Sequence, residues 1–106
     1  MNYETLDKIC GLIYGQALGD AFGLTTEFEN KSNIPYILEK YKLKFKDQFP
    51  YPFRSGHAQR WKDGDWTDDT DQMICIMKSL TKNNLKCNIK DFAKRLHHWC
   101  NNGNLT

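Results

Sequence analysis

The chain has 106 residues, of which 40% are hydrophobic and 26% charged. That is enough for one small domain and excludes an intrinsically disordered class. Lys+Arg 15 against Asp+Glu 13 gives +2, so charge balance excludes a strongly basic nucleic-acid binder or an acidic tail.

The amino-terminal stretch has early acids and no basic run, so no signal peptide is expected. From Tyr3 to Leu24 the pattern predicts a helix, with Leu6, Ile9, Ile13, Ala17, Ala21 and Leu24 at helical spacing. Gln16 and Asp20 interrupt its apolar run, which is too short to span a bilayer. Gly11, Gly15, Gly19 and Gly23 recur every fourth residue and form a stripe along one side. Each interior Gly costs about 1 kcal/mol relative to Ala. The stripe therefore predicts that another backbone or a ligand approaches it closely, most simply a packed helix.

Residues 25 to 62 read mostly as loop. Ser32-Asn33-Ile34-Pro35 predicts a helix start, with a short helix to about Tyr41. Lys40, Lys42, Lys44 and Lys46 alternate with Tyr41, Leu43 and Phe45, which reads as an exposed strand or strand-like loop. Phe49-Pro50-Tyr51-Pro52-Phe53 predicts an extended aromatic loop.

The next helix is predicted to begin within Thr67–Asp71, to run to about Lys82, and to end at Asn83-Asn84. Met73, Met77 and Leu80 give it an apolar face, widened by Ile74 and Ile76. A last helix begins at Asn88, with Asp91 in a near capping box. Its apolar face is Ile89, Phe92, Ala93, Leu96, Trp99 and Cys100, and Gly103 is its stop. The fold class is all-α.

The cysteines Cys10, Cys75, Cys87 and Cys100 form no Cys-x-x-Cys pair. They read as reduced thiols in a cytoplasmic setting. His97, His98 and Cys100 lack a second cluster of soft ligands and read as helix-surface and core residues. The glycosylation sequons at Asn30 and Asn104 carry no weight in that compartment.

The segment "GDWTDDTDQM" (residues 64–73) holds Asp65, Asp68, Asp69 and Asp71 beside two threonines. Like charges this close repel unless something neutralises them. Hard oxygen donors of this kind suit Mg²⁺, Mn²⁺ or Ca²⁺. A calcium loop of the EF-hand type fails, because Asp68 stands where its glycine should be and Ile74 where its closing Glu should be. The plainer reading is a helix cap at Thr67 or Asp68 with acids favouring the helix dipole. Capping requires one or two acids, fewer than this segment supplies.

"GLIYGQALGDAFGLTTEF" (residues 11–28) followed by "GDWTDDTDQM" resembles the amino-terminal part of the ADP-ribosylglycohydrolase family. The family pattern is a glycine-striped helix ending in Gly-Asp-Ala-x-Gly, a Glu shortly after, and a Thr-Asp-Asp-Thr motif opening a helix. A later helix ends in Trp with Gly four residues on, as Trp99 and Gly103 do. The resemblance covers nearly the whole chain.

The resemblance implies an all-α orthogonal bundle, of which this chain holds the first few helices as a single partial domain over residues 1–106. It implies two divalent cations, usually Mg²⁺ and sometimes Mn²⁺. The implied reaction is hydrolysis of the glycosidic bond between ADP-ribose and an acceptor. Thr67, Asp68 and Asp69 match the metal-binding motif. Glu27 and Asp69 are the implied catalytic carboxylates. Asp20 is read as structural, bonding nearby backbone N–H groups, with Asp65 and Asp71 outside the ligand set. The implied partner is an ADP-ribosylated protein or ADP-ribose compound, with no nucleic acid and no membrane.

The family's second ligand motif, Asp-x-Asp followed by Ser or Thr, does not occur here, since Asp91 is the only acid after Asp71. The expectation is therefore an amino-terminal fragment or truncated product that is inactive alone and holds at most one ion weakly. A further chain could supply the carboxyl-terminal half. The alternative is a non-catalytic relic of the same scaffold, binding ADP-ribose or serving a structural, crystallin-like role.

Overall fold

The structure is a computed structural model that describes residues 1–44 and 56–103. All regular elements among them are helical: α1 (Tyr3–Gly23), α2 (Ile34–Lys44), α3 (Asp68–Lys82) and α4 (Ile89–Asn102), with short 3-10 turns at Leu24–Thr26 and Gly56–Arg60. The all-α class follows. The described residues fall into two compact units, Met1–Thr67 and Asp68–Thr106.

In the first unit, α1 starts where Asn2 caps it, its side-chain oxygen accepting from the Thr5 N–H at 2.8 Å. Glu4 and Lys8 pair one turn apart at 2.8 Å on the surface. The helix then tightens into the turn Leu24–Thr26, against which α2 and Gly56–Arg60 pack. The buried apolar residues here are Ala21, Leu24, Ile37 and Ala58. They belong to α1's carboxyl end, α2 and the two turns, so the core sits at one end of α1. A helix of 21 residues is roughly 30 Å long, more than so small a unit covers. Leu6 and Ile9, expected on a buried face, are accordingly exposed.

The glycine stripe also differs from expectation. No described atom lies within 4 Å of where a Cβ would sit on Gly11, Gly15, Gly19 or Gly23. The predicted close approach of a second backbone is absent among the described residues.

The short helix expected from Ser32–Pro35 to about Tyr41 is α2, with the 3-10 turns Leu24–Thr26 and Gly56–Arg60 on either side of it in the chain. One reading of the middle segment is corrected. The Lys/aromatic alternation is no strand, because α2 runs through Lys44. Period-2 alternation over so few residues is a weak signal. Lys, Leu and Tyr all tolerate a helix, and Ile37 anchors this one by burial. Phe45, Lys46 and the aromatic loop 49–53 lie outside the described residues.

In the second unit, α3 and α4 pack on each other through a tight connection. Asn83 ends α3 by donating its side-chain amide to the Ser79 carbonyl at 2.8 Å. Asn84 and Leu85 then adopt left-handed backbone, φ 53 and 62, and the Leu85 N–H returns to the Leu80 carbonyl at 2.7 Å. Asn88 caps α4, accepting from the Asp91 N–H at 3.0 Å. Gly103 closes it at φ 65, its N–H donating to the Trp99 carbonyl at 2.8 Å. Only glycine takes that conformation without a steric penalty.

The buried line of α3 is Thr70, Cys75 and Ser79 rather than the predicted Met73, Met77 and Leu80, which are half-buried. Small side chains let a neighbouring surface approach closely, and burial follows that distance rather than hydrophobicity. Among the described residues no helix is long and apolar enough to cross a membrane.

Candidate functional site

Thr67, Asp68 and Asp69 straddle the start of α3, which begins at Asp68 and leaves Thr67 at the N-cap position. Asp68, Asp69 and Asp71 occupy the first turn, where the helix dipole favours negative charge. Asp68 and Asp69 are exposed, whereas Thr67 and Thr70 are buried.

Thr67 is held by Asp20, 47 residues earlier in the chain. Its N–H donates to Asp20 Oδ2 at 2.9 Å, and its hydroxyl donates to Asp20 Oδ1 at 2.7 Å. One carboxylate on α1 thus uses both oxygens to fix both donors of the residue that opens the acidic segment. Asp20 bonds a backbone N–H, as the sequence reading expected, but one that is remote in the chain. The Thr67 hydroxyl proton points at Asp20.

Two other acids of the segment have structural partners. Asp65 accepts from the Lys62 N–H at 3.3 Å, closing the turn that contains Gly64 at φ 86. Asp71 accepts from the indole N–H of Trp99 at 3.0 Å, which ties the first turn of α3 to the last turn of α4. The Trp–Gly pairing of the last helix thereby acquires a physical meaning. The Trp99 ring fixes Asp71 while its carbonyl receives the Gly103 cap.

Glu27 lies just past the turn Leu24–Thr26 in extended backbone, φ −61 and ψ 132. Its carboxylate meets a residue that the sequence reading passed over. His57 Nε2 lies 3.2 Å from Glu27 Oε2, with side chains 24% and 39% exposed respectively. Phe28 meets the imidazole edge-on at 4.8 Å, and Trp61 lies tilted at 4.9 Å. A lone His far along the chain gives no local signal of such a pairing. On the same turn Thr25 is buried and its hydroxyl has no hydrogen-bond partner among the described residues, an arrangement that costs about 1–3 kcal/mol.

The donor set Thr67, Asp68 and Asp69 is chemically right for a hard divalent cation, being all oxygen. Its number is small. Among the described residues no three His, Cys, Asp or Glu side chains converge into a group able to hold a metal ion. His97 and His98 do not contribute, since each engages an asparagine one turn on, Asn101 and Asn102. All four cysteines are free thiols.

The ADP-ribosylglycohydrolase family model matches residues 1–106. The chain belongs to the ADP-ribosylglycohydrolase family. It is 33% identical over 100 residues to the ADP-ribosylarginine hydrolase Tri1 of Serratia proteamaculans, covering 94% of this chain and 23% of that protein. It is 31% identical over 93 residues to an uncharacterised protein of Archaeoglobus fulgidus, covering 88% of this chain and 27% of the relative. YegU of Escherichia coli is 31% identical over 94 residues, with the same coverage of 88% and 27%. The chain spans about a quarter of the length of these curated relatives. No solved structure matches it at a significant level.

Proposed function

We propose that this chain is the amino-terminal part of a divalent-cation-dependent hydrolase of the bond between ADP-ribose and an acceptor side chain. Arginine is the acceptor we favour, after the activity for which the Serratia relative is named. Mg²⁺ is the proposed ion, with Mn²⁺ as a substitute. The observation that carries the reading is the two-point grip of Asp20 on Thr67, which fixes the first residue of the acidic segment. A solvated cap would need no such anchor.

Thr67, Asp68 and Asp69 would hold the cation. Once bound, it would orient ribose hydroxyls and a water and offset negative charge. Glu27 is the proposed proton-handling carboxylate. It is exposed enough to reach substrate, and it would protonate the departing acceptor or take a proton from the attacking water. Asp69 would orient that water. These 106 residues supply one side of such a site, so weak cation binding and little turnover are expected of them alone. The remaining ligands would come from residues beyond them, in the same or a second chain.

Calorimetric titration with MgCl₂ tests the metal set. Heat should appear with the wild-type chain and vanish in Asp68→Ala. An unchanged affinity in that variant would refute the assignment. For the chemistry, once the remaining ligands are supplied, Glu27→Gln should lower the rate of ADP-ribosyl-arginine hydrolysis about 10²-fold or more.

A further inference from the structure

We infer that His57 is a positioning residue for Glu27, setting the orientation of its carboxylate; this rests on the proton-handling role proposed for Glu27. The contact runs through Oε2, 3.2 Å from His57 Nε2. A ring nitrogen at ion-pair distance restrains where the carboxylate sits. The Glu27 side chain stays 39% exposed, so engaging Oε2 does not bury the group away from a substrate.

The imidazole is itself braced. The Phe28 ring meets it edge-on with planes at 85°, and Trp61 closes on it at 60°. Edge contacts of this kind hold a ring more firmly than solvent does. Two unusual backbone conformations bring the pair together. Phe28 has φ 59, outside the range a bulky residue prefers, and this turns the chain immediately after Glu27. Gly56 has φ 55, immediately before His57, and a Cβ there would lie 2.5 Å from Glu29 Oε1. The Glu29 carboxylate ends a flexible side chain and can move aside, so it is the positive φ that favours glycine at position 56.

Left-handed backbone at a non-glycine residue is strained and persists where the surroundings enforce it. Phe28 is 82% exposed, so burial of its own ring does not compensate for that conformation. The geometry instead serves the placement of Glu27 and His57. Glu27 is the charged group that meets the imidazole, and Arg60 belongs to the same turn, Gly56–Arg60.

NMR of the 106-residue chain tests the inference without turnover. In the wild type, the Glu27 side-chain couplings should report one rotamer. His57→Phe keeps a ring between Phe28 and Trp61 and removes the donor, and should give averaged couplings. His57→Gln restores a donor and should restore the single rotamer. Unchanged couplings in His57→Phe overturn the inference. A second reading needs no change at His57: the imidazole ¹⁵N pattern should show the proton on Nε2, and Glu27→Leu should lose that preference. A pattern identical in both proteins would also overturn it. Should the couplings respond while Glu27→Gln leaves hydrolysis untouched, the positioning stands and the catalytic reading of Glu27 fails.

Discussion

Replacing Asp20 with Ala removes the acceptor of two hydrogen bonds at once. Thr67 is 5% exposed, so water cannot easily take over its N–H and hydroxyl. Each buried donor left unsatisfied costs about 1–3 kcal/mol. The two share one residue, so their sum is not additive, and Ala is the better helix former by some tenths of a kcal/mol. The expected loss is about 2–4 kcal/mol. For a domain of this size each kcal/mol moves Tm by about 4–8 °C, so Asp20→Ala should melt roughly 10–25 °C below wild type. Asp20→Asn keeps one acceptor but presents an NH₂ to the other donor, and should fall between. Urea unfolding followed by circular dichroism at the helix band measures all three proteins. A double-mutant cycle with Thr67→Val isolates the pair, with a coupling of at least about 1 kcal/mol expected. Additive effects of the two substitutions, or an Asp20→Ala stability within about 0.5 kcal/mol of wild type, would refute the claim that Asp20 anchors the segment.

Three further outcomes are expected. Gly15→Ala meets no described atom within 4 Å, so it should stabilise the chain by about 0.5–1 kcal/mol in thermal unfolding; a loss would mean that something packs on the stripe in solution. Burial, followed by the Asp71 charge, pushes the Cys75 thiol above its ordinary range. In a thiol-reagent assay Cys10, Cys87 and Cys100 should react promptly, with Cys75 lagging until denaturant is added. The stability tied to the neutral Cys75 thiol is complete below the ordinary thiol pKa and is lost as pH rises through the raised folded value. Hydrogen bonds from Arg95 and then Ser79 hold the Asp91 carboxyl below its usual value. Its contribution is present above the ordinary carboxylate pKa and is lost as pH falls through the lowered one. Asp91→Asn should therefore flatten the acid limb of the stability profile, and an unchanged limb would show that Arg95 and Ser79 do not matter there.

Much of the fold was legible because it is local. Asn88 capping the Asp91 N–H, Gly103 closing α4 and the start of α3 within the acidic segment each depend on residues within four positions of one another. The bounds of α1 followed for the same reason. The family pattern was legible too, since its two motifs lie in order on one strand of text. The Lys/aromatic stretch was misread over residues 40–44 because so short an alternation fits both periods, and the buried Ile37 that favours the helix lies outside it.

What the sequence by itself determined is therefore an all-α chain, the bounds of α1, α3 and α4 and an acidic segment of family type. Tertiary structure alone decided what the acids do. Asp20 meets Thr67 across 47 residues and Trp99 meets Asp71 across 28. Glu27 finds a histidine that no motif points to. Such contacts leave no periodicity or spacing in the chain. For Thr67, folding brings the Asp20 carboxylate to buried donors that water no longer serves.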